Sequence, residues 1–311
     1  MARLVVAACS IAGFAACAAT PNGERECAYC PEMVTVPAGT AILGAAAGDR
    51  FRNVDELPER RIDVAAPFAV GRYEVTRAQY QAFVQATGRA VGGDCLTDRV
   101  KRGTWVVDAG TNFRDPGFPQ TDADPVACVN WEEAQAYVDW LNTRTSGGYR
   151  LLTEVEWEYV ARAGATRNTV YPWGDDPGGG CPFANGFDRT AMATYAGADT
   201  SGHKVFDPLP CADGWLNTAP VGSLAPNALG VHDMIGNVGE WVGDCYRAAR
   251  EDGAASGPPT AAADICARRL AKGGSWGTLA HNLRTAERLP YAATHRDDSI
   301  GFRVAKTLGP E

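Results

Sequence analysis

The chain has 311 residues, 45% of them hydrophobic and 21% charged, with a formal net charge of −8. That acidic balance, with no Lys or Arg run to interrupt it, excludes nucleic acid as a partner, because phosphate binding needs a clustered basic surface that releases counterions. The 35 glycines make up about 11% of the chain against a usual ~7%, which points to many turns and much irregular backbone.

Met1-Ala2-Arg3 is a short positive start, and Leu4 to Ala19 is an Ala-rich apolar stretch. The pattern is that of an export signal, and it falls short of the ~20 apolar residues that a membrane span needs. Phe14-Ala15-Ala16-Cys17 resembles the lipobox of bacterial lipoproteins, with Phe14 where Leu is usual. Lipidation of Cys17 would attach the chain to a membrane; cleavage after Ala18 is the alternative. Residues 1–19 are therefore read as export signal, 20–32 as a tether, 33–306 as one domain and 307–311 as a tail. Neither a low-complexity linker nor a repeat divides the domain. The expected location is extracytoplasmic, either periplasmic or as an outer-membrane lipoprotein.

Two of the ten cysteines, Cys9 and Cys17, fall in the export segment, which leaves an even eight. In an oxidising compartment such a set reads as disulfides. Six cysteines allow fifteen connectivities; pairing in order gives Cys95–Cys128, Cys181–Cys211 and Cys245–Cys266. Cys27-Ala28-Tyr29-Cys30 is a CxxC with no second CxxC and no helix pattern after it, and is expected to be oxidised.

Along the domain, Met33–Pro37, Arg61–Val64 and Phe302–Val304 alternate as strands. Three helix starts carry a capping residue three positions before Glu or Gln: Thr76 before Gln79, Asn130 before Glu133, and Thr153 before Glu156. That spacing lets the two side chains satisfy orphan N–H groups reciprocally. Apolar residues follow at helical spacing: Tyr80, Phe83 and Val84, then Ala134, Tyr137, Val138 and Leu141, then Trp157, Val160 and Ala161. Amphipathic helices packed on a core are expected. Between Tyr171 and Asn227 periodicity almost vanishes, and a stretch that long needs disulfides or ions to organise it.

A series of short motifs then falls in a recognisable order. Val36-Pro37-Ala38-Gly39-Thr40, Tyr73-Glu74-Val75-Thr76, Val129-Asn130-Trp131, Arg150 to Tyr159 and Tyr171-Pro172-Trp173-Gly174 come first. Ala219-Pro220-Val221-Gly222, Pro226 to Val231, Gly236-Asn237-Val238-Gly239-Glu240-Trp241, Gly273-Gly274-Ser275-Trp276 and Gly301-Phe302-Arg303 follow. The series resembles the formylglycine-generating-enzyme, or sulfatase-modifying factor, family from about Met33 to Val304. Leu152 and Gly239 depart from that family's usual Pro and Trp. The resemblance implies a single C-type-lectin-like α+β domain with few helices, short strands and much irregular coil.

It also implies structural calcium. One family site falls on Asn185, Gly186, Asp213 and Trp215, and a second on Asp233, Gly236, Val238 and Glu240; the glycines, Trp215 and Val238 would offer carbonyls. Calcium takes six to eight such oxygens, so the set suits an irregular loop region. The alternative reading is that these Asp and Asn residues shape turns through their own backbone.

The family's aerobic oxidases bind copper through two cysteines shortly after the Gly-Gly-Ser motif. Here Gly273 to Arg284 contains no cysteine, and Thr278 stands where the first would be. Copper(I) selects soft thiolates, so copper is not expected and formylglycine formation is not the expected reaction. A branch of the family oxidises a ring system in siderophore maturation without that pair, so catalysis of another kind is compatible with the sequence. Ser275, Trp276, Thr278, His281, Glu287 and Arg288 are the candidate cleft. An iron site on His281, His295 and a carboxylate is the alternative metal arrangement. The resulting expectation is an extracytoplasmic, non-copper, oxidoreductase-like member acting on a peptide or peptide-derived substrate. A calcium-stabilised, non-catalytic, lectin-like binding module of the cell envelope is the alternative.

Overall fold

The computed structural model describes residues 25–101, 104–195, 208–248, 266 and 268–309. The export signal and Cys17 lie outside the described residues. In chain order the strands begin with β1 (Met33–Val36), β2 (Gly39–Leu43), β3 (Arg60–Val64) and β4 (Phe68–Gly71), and α1 (Arg77–Thr87) follows. Next are β5 (Cys95–Lys101), β6 (Thr104–Asp108), α2 (Trp131–Arg144), β7 (Tyr149–Leu151), α3 (Glu154–Ala161) and α4 (Arg189–Tyr195). β8 (Gly239–Cys245), β9 (Arg269–Lys272), β10 (Leu289–Tyr291), β11 (Ile300–Phe302) and β12 (Val304–Thr307) complete the domain. Few helices, short strands in small sheets and long coil are what the motif series implied.

Two four-stranded sheets form the frame. The first runs β1-β4-β12-β7, so the two ends of the domain flank β4, with Met33 opposite Gly71 and Ala305 opposite Val70. The second runs β10-β9-β8-β11 and has one parallel pair, Ile300 opposite Gly239. β2–β3 and β5–β6 are separate two-stranded ribbons.

All three capping boxes form: Gln79 N–H donates to Thr76 at 3.2 Å, Glu133 N–H to Asn130 at 2.9 Å, and Glu156 N–H to Thr153 at 3.2 Å. α1 and α2 are amphipathic as expected. They bring Tyr80, Phe83, Tyr137 and Trp140 into one aromatic cluster with Phe302. α3 is not amphipathic: every residue in it is buried. Its acids survive there because each meets a cation: Glu154 meets Arg288, Glu156 meets Arg150, and Glu158 meets Lys272.

The expected strand across Phe302–Val304 is two strands in two sheets. Arg303 breaks it, because its fully buried guanidinium donates to Glu240 at 2.7 and 3.0 Å. A buried charge must be paired, and that requirement outweighs strand continuity. The disulfides are Cys27–Cys30, Cys95–Cys128, Cys181–Cys211 and Cys245–Cys266, the in-order pairing. Cys181–Cys211 closes 30 residues of the aperiodic stretch, about 3–4 kcal/mol of unfolded-chain entropy.

Candidate ligand cleft and metal-binding loops

After β9 the chain turns through Gly273 and Gly274, both at positive φ (93° and 69°). At Gly274 a Cβ would press on Thr278 Cγ2 at 3.0 Å, so glycine lets the loop fold back on itself. That fold presents Ser275, Trp276 and Thr278 together. Ser275 N–H donates to Thr278 Oγ1 at 2.9 Å, and the two hydroxyls sit 3.2 Å apart in a hydrogen bond.

Trp276 is 2% exposed and anchored by its backbone N–H on Asn237 O at 2.9 Å. Phe118 meets its ring edge-on with centroids 5.5 Å apart, and Trp105 lies at 6.1 Å. Trp105 remains 44% exposed, so the aromatic wall opens to solvent. Neither Trp105 nor Phe118 was legible as a site residue, because both belong to the β5–β6 region, far from Trp276 in sequence.

The other three cleft candidates lie elsewhere in the bonding pattern. Glu287 accepts from Arg284, which also donates to Asp49 at 2.8 Å and to Glu56 at 2.6 and 2.8 Å. Burial, reinforced by Glu56 and Asp55, pushes the Glu287 carboxyl up to about 7 against the opposing pull of Arg284. Arg288 donates to Glu154 at 2.8 Å and to the carbonyls of Asp55 and Arg247. These two residues clamp the 44–59 loop onto the domain. His281 packs its ring at 5.1 Å from Phe51. No hydrogen bond among the described residues joins the Ser275–Thr278 pair to His281, Glu287 or Arg288.

His295 stacks on Tyr291 at 4.6 Å and lies 3.5 Å from Asp297, a setting different from that of His281. No group of three His, Cys, Asp or Glu side chains converges to hold a metal among the described residues.

In the first calcium-type set two hard oxygen donors lack a partner. Asn185 Oδ1 and Asp213 Oδ2 are buried and accept no hydrogen bond. Buried acceptors are nearly always satisfied, so each of these two orphaned oxygens is of a kind that a hard cation would satisfy. Burial, with Asp188 adding to it, raises Asp213 to about 6. Asp188, which the sequence did not single out, is fully buried and accepts the backbone N–H of Asp213 at 2.6 Å and of Thr190 at 2.7 Å. Trp215 N–H donates to Asp213 Oδ1 at 2.8 Å, and Gly186 packs where a Cβ would collide with Leu283.

The second set is differently engaged. Glu240 accepts from Arg303 on one oxygen and from the Trp157 indole at 2.8 Å on the other. Asp233 accepts Gly222 N–H at 2.7 Å. Gly236 packs so tightly on Asn185 O that no Cβ fits, which joins the two sets. Val238 N–H donates to Glu74, a buried acid that also takes Asn237 Nδ2–H at 2.8 Å. Burial and the neighbouring Asp233 hold Glu74 well above the usual carboxylate range. Asn237 is the hub of the region: its side chain meets Glu74, Ala219 and Asn185, and its carbonyl holds Trp276.

The model of the sulfatase-modifying factor enzyme 1-like domain matches residues 19–308. The chain belongs to the sulfatase-modifying factor family. It is 32% identical over 306 residues to the formylglycine-generating enzyme of Thermomonospora curvata, across 88% of this chain and 92% of that protein. To the inactive C-alpha-formylglycine-generating enzyme 2 of mouse it is 28% identical, across 90% and 87%. Among solved structures it is similar to PvdO of Pseudomonas aeruginosa, with TM-score 0.72, 33% identity and coverage of 94% and 100%. Within this family member, every described cysteine is in a disulfide, so none of them is a thiolate for copper(I). No described helix is long and apolar enough to cross a membrane.

Proposed function

We propose that the chain is an extracytoplasmic member of this family that engages a peptide or peptide-derived substrate at the Trp276 cleft, as an oxidoreductase that does not use a copper–dithiolate centre. The observation that carries the reading is that Thr278, standing where the first copper-binding thiolate would be, presents a hydroxyl hydrogen-bonded to Ser275 at 3.2 Å, in the loop whose Trp276 packs on the exposed Trp105. Hydroxyls bind and orient a polar backbone, while the exposed Trp105 indole, backed by the buried Trp276, offers an apolar face with a polar tip. Calcium would be held by Asn185 and Asp213 with carbonyls of Gly186 and Trp215, and its contribution there is to fix the loops on which Asn237 and Trp276 rest.

A second reading, a non-catalytic binding module, is favoured by one observation: the two hydroxyls satisfy each other and no described titratable side chain hydrogen-bonds to either. One experiment separates the two. The mature protein is incubated with thiol-, phenol- and Cys-containing peptides while oxygen uptake and binding are both measured. Turnover lost in Trp276→Ala supports the enzyme, binding without turnover supports the module, and neither refutes the cleft assignment.

A further inference from the structure

The β5–β6 ribbon presents a strand edge beside the cleft. Leu96 of β5 lies opposite Val107 of β6, yet its N–H donates to Arg296 O at 2.9 Å and its carbonyl accepts Asp298 N–H at 3.0 Å, both away from β6. Residues paired across an antiparallel ladder either exchange both bonds or none, so Val107 points its own N–H and C=O away from β5. Trp105, two residues back along the same strand, points its groups the same way, while Val106 between them, opposite Thr97, faces β5. Among the described residues β6 pairs only with β5, and no described group bonds the outward N–H or C=O of Trp105 or Val107.

Such an edge invites another strand, and proteins usually blunt it with charge, proline or shortness. Edges elsewhere in this domain follow that rule: β3 carries Arg60, Arg61 and Asp63, and β10 is three residues long with Pro290 at its centre. β6 does the reverse. Its outward-bonding residues are Trp105 and Val107, 44% and 64% exposed, and residues two apart share one face of a strand. On that face Trp105 packs against Trp276, so the edge is continuous with the loop that carries Ser275 and Thr278. Two donor–acceptor pairs about 6.8 Å apart are the complement of another extended backbone, whose alternate residues meet them in turn.

We propose that an extended segment of the peptide substrate adds to β6 as a further strand. The N–H groups of Trp105 and Val107 donate to its carbonyls, and their carbonyls accept from its N–H groups. The proposal rests on the peptide reading of the Trp276 cleft and extends it. Main-chain pairing at β6 supplies affinity that is indifferent to side-chain identity, which leaves selection to the cleft.

The test uses the mature protein and a short Cys-containing peptide of alternating Thr and Val, followed by residue-resolved amide exchange and by fluorescence anisotropy. Saturating peptide should slow exchange of the Trp105 and Val107 amides at least about tenfold and leave that of Val106, already bonded to β5, unchanged. Val107→Pro removes one outward donor without touching the β5 ladder, so it should keep Tm and weaken the peptide roughly three- to tenfold, the worth of one hydrogen bond. Val107→Thr, which keeps that N–H, should bind as the wild type does. Where Val107→Pro fails to fold, N-methylation along the peptide replaces it: affinity should fall at every second position, because alternate amides face β6. Bound peptide with Trp105 and Val107 amides still unprotected, or equal losses at consecutive N-methyl positions, would overturn the inference, and loss of that binding in Trp276→Ala would leave the cleft reading standing. No binding to the wild type overturns both. Protection of the same amides in the free protein that rises with its concentration would assign the edge to a second copy of the chain and overturn the inference as well.

Discussion

Arg284 offers the most demanding test of how this fold is held. Its fully buried guanidinium neutralises Asp49, Glu56 and Glu287, joining the 44–59 loop to the segment after the cleft. Arg284→Met keeps most of the aliphatic volume but leaves three carboxylates in a water-poor pocket without a cation. Removing one partner of a buried pair costs about 3–5 kcal/mol, and with three acids stranded the upper end is expected. For a domain of this size that is a fall in Tm of roughly 10–20 °C. The deficit must also depend on pH. In the variant the folded-state carboxyl pKa values rise above their unfolded values near 4, so stability is retained at low pH and lost as pH rises. Urea denaturation near neutral pH and near pH 5, beside an Arg167→Met control on the exposed Arg167–Asp175 pair, measures both effects. A deficit under about 1 kcal/mol, or one equally large at both pH values, would refute the clamp.

Other expectations follow from the same bonding pattern. Asp244 accepts the N–H of Glu154 at the start of α3 at 2.6 Å, and burial beside Glu154 and Glu156 pushes its carboxyl up to about 7. Its contribution is therefore full below the unfolded value of about 3.9 and lost as pH rises through 7, a few kcal/mol in all, so Asp244→Asn should flatten the stability–pH profile over that window in chemical denaturation. Chelation should lower Tm, since an ion bound only to the folded state adds about 2.7 kcal/mol at a hundredfold excess over Kd; Asp213→Ala should reproduce most of the loss, and an unchanged Tm in chelator would remove calcium from the account. Thr278→Cys alone should neither bind copper(I) tightly nor convert a Cys peptide to formylglycine, because the disulfides leave no second described thiolate; aldehyde detected by mass spectrometry would contradict this.

The sequence by itself determined what depends on neighbours in the chain. The capping boxes at Thr76, Asn130 and Thr153, the strands at Met33 and Arg61, and the family order of motifs were all legible, since each rests on spacings of a few residues. Composition and an even cysteine count, in a chain read as exported from its first residues, also carried the disulfides as far as a pairing in order. What only the tertiary structure decided is which distant groups share a buried environment. Arg303 splits an apparent strand because Glu240, 63 positions away, has to be neutralised. α3 is buried on every side because its three acids find cations from β7, β9 and the segment before β10. Glu287 and Arg288, expected at the candidate cleft, take part in buried ion pairs, while Trp105 and Phe118, with no local signal, pack against Trp276. Charge pairing and aromatic contact act through space at a few ångströms, and a one-dimensional pattern does not encode those distances.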